Sequence, residues 1–76
     1  MKMLELSALP LGAEAEVTGF LPGREVSGRL SELGFTPGSN IKCLFAAPSG
    51  SPRAYLVKNT VIALRDTDAS AVLLRQ

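Results

Sequence analysis

Arg29-Leu30-Ser31-Glu32-Leu33-Gly34-Phe35-Thr36-Pro37-Gly38 puts the end of a helix, a stop and a turn into consecutive positions. Val26, Leu30 and Leu33 stand at i, i+4 and i+7, one stripe of a 3.6-residue period. Gly28 inside that stripe costs roughly 1 kcal/mol relative to alanine. The spacing therefore predicts a loose turn through Arg24–Val26 and a short helix from Gly28 to Leu33, capped by Ser27. Gly34 supplies the left-handed position that ends it, and Pro37-Gly38 turns the chain into a strand. This is the only helical pattern of any length, so a core must come mainly from strands.

Strand signals are plentiful. Glu14 to Phe20 alternates, with Ala15 and Val17 on one face and Glu14, Glu16 and Thr18 on the other, as in a half-buried strand. Pro22-Gly23 ends it. Further strands are expected at Ile41–Ala46, Ala54–Val57, Thr60–Arg65 and Val72–Leu74. Pro48-Ser49-Gly50-Ser51-Pro52 and Lys58-Asn59 form the turns between them. Asp66-Thr67-Asp68 caps a helical turn through Ala69–Ala71. Ahead of these, Pro10-Leu11-Gly12 marks a turn that lays Leu6, Leu9 and Leu11 on an apolar surface. About five short strands with one short helix after the first describe a mainly β fold, a small barrel. Residues 1–76 are expected to form a single domain.

Composition narrows the chemistry. Eight basic and seven acidic residues leave a net charge of +1, scattered along the chain, which gives no electrostatic footprint for nucleic acid. With no histidine there is no imidazole base or His-containing metal site, and Cys43 alone cannot form a thiolate cluster. Between Ile41 and Phe45, Cys43 reads as a core residue. Asp66 and Asp68 lack further acids nearby for a hard cation. No glycine-rich phosphate loop is present, and no serine has an evident base. The expectation is a protein without catalysis, cofactor or resident metal. Met1-Lys2-Met3-Leu4 meets Glu5 too soon for a signal peptide, and no stretch is long enough to span a bilayer, so the expected location is the cytoplasm.

Alternation assigns Ala15, Val17, Ile41, Cys43, Tyr55, Val57, Ile62, Leu64, Val72 and Leu74 to the inside, with Leu30 and Leu33 from the helix. Leu44, Leu56, Val61 and Leu73 then fall outward, and Phe45 follows Leu44 directly. Either the alternation breaks locally or a loop covers them, or Leu44, Phe45 and Leu56 form a self-association edge or docking surface.

The string from Arg29 to Gly38 has companions downstream: Ala47-Pro48-Ser49-Gly50-Ser51-Pro52 at a hairpin, Ile62-Ala63-Leu64-Arg65 in a strand, then Asp68-Ala69. In this order they closely resemble the FeoA domain, from about Leu6 to Leu74. Two departures stand out. Asn59 precedes Thr60 where the family often has glycine, though asparagine tolerates the same positive φ. Cys43-Leu44-Phe45-Ala46 is more apolar than the charged version common in the family.

The resemblance implies an SH3-like barrel and a role in bacterial ferrous-iron uptake. Such domains occur as small cytoplasmic partners of the FeoB transporter, which carries a GTPase domain. They also occur fused to that transporter, or as the C-terminal domain of DtxR-type metal-dependent repressors. The opening methionine and the lack of a helix-turn-helix region favour the first setting. The implied protein is a non-enzymatic accessory that docks on the transporter's cytoplasmic machinery, inserts in no membrane and binds no nucleic acid. Leu30, Leu33, Phe35 and Pro37 are the expected anchor, with Arg29 at the rim. Phe35 and Pro37, just past the glycine stop, are the ones expected to be exposed. A free-standing repressor-type regulatory module, a homo-oligomeric scaffold and a nucleic-acid-binding barrel are the alternatives.

Overall fold

A computed structural model describes residues 3–22 and 26–76. The elements in chain order are β1 (Met3–Glu5), a 3-10 turn at Leu6–Ala8, β2 (Glu14–Phe20) and α1 (Val26–Leu33). They continue with β3 (Asn40–Ala46), β4 (Arg53–Val57), β5 (Thr60–Leu64), α2 (Asp66–Ala69) and β6 (Val72–Arg75). All six strands join one antiparallel sheet in the order β1-β6-β2-β3-β4-β5. β2 bridges its two halves, pairing with β3 through Glu14–Glu16 and with β6 through Glu16–Phe20. The curled sheet encloses a single apolar cluster, an SH3-like arrangement. Its members include Val17, Ile41, Cys43, Tyr55, Val57, Val72 and Leu74.

The expected strands are present, as are the turns at Pro37-Gly38, Pro48–Pro52 and Lys58-Asn59, whereas Gly23 of the expected Pro22-Gly23 turn lies outside the described residues. The inward set is buried or packed on the core except for Leu33. β1 lies outside the sequence expectation, because three residues carry no readable alternation; it is held by pairing with β6. Behind it Leu6 and Leu9 enter the core, while Leu11 stays 59% exposed, so the turn at Pro10 points it outward. Lys58 and Asn59 both have positive φ, 49° and 64°, the two-residue turn that matches strand twist.

The helix differs from expectation at its start. α1 runs from Val26, so Ser27 lies inside it and not at the expected N-cap position. Of the loose turn expected at Arg24–Val26, residues 24 and 25 lie outside the described residues and Val26 is the first residue of α1. Its end is a Schellman motif centred on Gly34, whose φ is 112°. The Phe35 N–H donates to the Leu30 carbonyl at 3.0 Å and the Gly34 N–H to the Ser31 carbonyl at 3.1 Å. That motif folds the residue after the glycine back onto the helix, and Phe35 packs fully buried in the same cluster as Leu30. Phe35 is therefore a core residue, against the expectation of exposure. Leu33 is displaced to the rim, 42% exposed.

α2 also departs from expectation. Asp66, Thr67 and Asp68 form the helical turn itself and do not cap a later one; the Arg65 side chain does not cap it, and the Asp66 N–H donates instead to Ser51 Oγ at 3.2 Å. The carboxylates of Asp66 and Asp68 suit the positive end of the turn. A register shift between Cys43 and Phe45 marks a bulge in β3. The bulge turns Phe45 away from the Ile41–Cys43 face and leaves it 60% exposed, opposite Ala54.

Candidate functional site

α1 runs beside β5 in the opposite sense. Gly34 lies against the side chains of Val57 and Lys58 at one end. At the other end Arg29 Nη2 donates to Asp68 Oδ2 at 3.0 Å. Between helix and strand is a groove of about 560 Å³, lined by Arg29, Leu33, Pro52, Ile62, Arg65 and Asp68 among others. Leu33 and Ile62 give it an apolar stretch, and the ion pair gives it a polar end. Arg65 is exposed and makes no ion pair with a described residue.

The expected docking set is thus divided by the fold. Arg29 and Leu33 lie in this groove. Leu30 and Phe35 are in the core and closed to a partner. Pro37 is exposed but lines a second groove of about 600 Å³ with Lys42, Leu56 and Lys58. Pro52, Ile62 and Asp68 lie outside the set expected to line a site. They are legible in one respect, since Pro52 ends the hairpin string, Ile62 opens the strand string and Asp68 comes just after it. Three separate strings meet at one groove.

Leu44, Phe45 and Leu56 lie elsewhere. Leu44 and Leu56 are half-buried, and Phe45 is exposed on the outer face of β3 and β4. Leu56 sits opposite Val61, itself exposed, so an apolar strip crosses β3, β4 and β5 on that face.

Polar chemistry also reaches the core. Tyr55 is fully buried, and its hydroxyl donates to the Leu6 carbonyl at 3.5 Å. Burial pushes its phenol up to about 12, with further contributions from neighbouring Cys43 and Asp66, partly offset by Arg53. Arg53 Nη1 donates to the Leu9 carbonyl at 2.7 Å and lies 4.0 Å from Cys43 Sγ. Together these contacts tie the segment around the 3-10 turn to β4. Among the described residues no three His, Cys, Asp or Glu side chains gather as metal ligands. None of the helices there is long and apolar enough to cross a membrane.

The sequence profile of the FeoA domain matches residues 4–76. Among solved structures, the FeoA-like protein of Clostridium acetobutylicum superposes with a TM-score of 0.91 at 24% identity, over 99% of this chain and 87% of that one. FeoA of Stenotrophomonas maltophilia, solved with zinc, superposes with a TM-score of 0.83 at 32% identity, over 95% of this chain and 89% of that one. That protein is described as a procaryotic SH3 domain protein and a suggested ferrous-iron transport activating factor. FeoA of Chlorobium tepidum gives 0.85 at 30% identity, over 95% of this chain and 69% of that one. No curated protein sequence matches the chain.

Proposed function

The chain belongs to the FeoA domain family, and from that premise we propose that it is a non-enzymatic accessory of ferrous-iron uptake, docking on the cytoplasmic part of a FeoB-type GTPase transporter. The observation that supports this most is the convergence of the three family-like strings. They are separated along the chain, yet Arg29 and Leu33, Pro52, and Ile62–Arg65 line one groove. Arg29 and Leu33 are exposed there, so their service to the barrel's core is small. An open groove with an apolar floor and charged rim suits a protein surface better than a small substrate. The docking set is accordingly Arg29, Leu33, Ile62 and Arg65.

The test is a titration of the isotopically labelled chain with the isolated GTPase domain of its cognate transporter, in each nucleotide state. Amide shifts are expected along Arg29–Gly34 and Ile62–Asp68. Shifts confined to the outer face around Phe45, or none at high concentration, count against this docking site.

A further inference from the structure

We infer that the groove takes its partner as an added strand: an extended peptide segment that pairs with the free edge of β5 and carries an acidic residue beside Arg65. Strand addition here rests on the docking reading of the same groove, and the two can fail separately.

Ile62, Ala63 and Leu64 are consecutive, and all three line the groove. Side chains of a strand alternate between the faces of the sheet. A groove that meets three in a row runs along the strand's edge, where the backbone itself is exposed. The hairpin turn says which backbone groups those are. Lys58 and Asn59 form a two-residue turn, which makes Val57 and Thr60 a hydrogen-bonded pair. Alternation then makes Tyr55–Ile62 and Arg53–Leu64 the further bonded pairs. The N–H and C=O groups of Val61 and Ala63 consequently point away from β4. Among the described residues no backbone bond from outside the sheet reaches them.

Exposed edges normally carry a charge, a proline or a bulge that discourages pairing. β5 has none: Thr60-Val61-Ile62-Ala63-Leu64 is uncharged and pairs with β4 without a register shift. Arg29 and Leu33 of α1 line the other side of the groove, so this edge faces a walled cleft. Strand addition beside a helix of this kind recognises extended peptides through main-chain bonds, with alternate side chains giving specificity.

The walls define the peptide. Leu33 and Ile62 ask for an apolar residue between them. At the other end Arg29 is neutralised by Asp68, leaving the charge of Arg65 without an acidic partner among the described residues. A carboxylate on the added strand completes it.

The test uses the full labelled chain and synthetic peptides of alternating threonine and valine with one terminal glutamate, placed at either end. At saturation the amides of Val61 and Ala63 are expected to slow in hydrogen exchange by about tenfold or more. Replacing glutamate by lysine weakens binding, and N-methylation of the pairing amides abolishes it. Ala63→Pro removes an outward N–H without taking one from the β4 ladder, and should abolish binding too; the N-methylated peptide makes the same point should that variant not fold. Failure of both glutamate peptides to bind at millimolar concentration overturns the inference, as does binding without protection at Val61 and Ala63, or equal binding of the N-methylated form. If the GTPase domain binds the groove with these amides unprotected, docking stands and strand addition falls. If peptides protect them while the GTPase domain does not bind, strand addition stands and that partner falls.

Discussion

Arg29 on α1 and Asp68 on α2 form an ion pair at 3.0 Å across one end of the groove, joining two elements far apart in the chain. With the two side chains 64% and 29% exposed, solvent screens much of the attraction. A double-mutant cycle with Arg29→Ala and Asp68→Ala, read by urea unfolding, should give a coupling of about 0.2–1 kcal/mol, shrinking with added salt. The pair therefore sets the shape of the groove more than the stability of the barrel.

Phe35→Ser should unfold much of the population at ambient temperature. Truncating a fully buried phenylalanine costs about 3–5 kcal/mol, and in a domain this small that approaches the whole stability. Circular dichroism against temperature checks it.

Leu33→Ser should behave oppositely. At 42% exposure the side chain contributes little to folding, so the unfolding midpoint should change by less than about 1 kcal/mol in equivalent free energy. Affinity for the transporter's GTPase domain should fall severalfold, measured by titration calorimetry. A variant that loses stability and keeps affinity assigns Leu33 to the core.

Gly34→Ala should destabilise by on the order of 1–3 kcal/mol. A φ of 112° disfavours any side chain, and a Cβ there meets Lys58 Cδ at 3.3 Å and Val57 Cγ2 at 3.4 Å. Equilibrium urea unfolding of the two proteins is the measurement.

Tyr55 predicts alkaline sensitivity. Its folded pKa of about 12 lies above the unfolded value of 10.0, so the native state holds its proton more tightly. The associated stability is complete below pH 10 and is lost as pH rises through 12, a loss of roughly 2–3 kcal/mol. Tyr55→Phe should flatten this part of the stability profile, read by unfolding at stepped pH.

Strands, turns and most of the core are legible in the sequence because alternation and turn chemistry are local. Lys58-Asn59 is readable as a turn, and Asn59 and Gly34 as positive-φ positions, for the same reason, whereas the positive φ of Lys58 appears only in the structure. Phe35 runs against its expected exposure although its signal is present: a glycine after a helix implies the return of the next residue onto it, and that rule outweighs proximity to a turn. Phe45 and Leu44 resist reading because one extra residue in β3 reverses the facing of the side chains beyond it, and only the pairing with β4 reveals it. The groove is partly legible. Its residues sit in recognisable strings, but their meeting depends on how α1 lies along β5. Asp68 shows the limit, since its neighbours suggest a local cap and its partner is Arg29.

The position of β6 between β1 and β2 governs how the barrel is made. Met3 pairs with Arg75 and Leu4 with Leu74, so the first described strand has no neighbour until the last exists. Closing so long a loop precedes the contacts that reward it. On a ribosome, Leu6, Leu9 and Val17 emerge early and wait with their apolar surfaces uncovered until Val72–Arg75 clears the exit tunnel. Until then the β6-facing edge of β2 stays unpaired and that side of the core stays open, however far the rest of the sheet has formed.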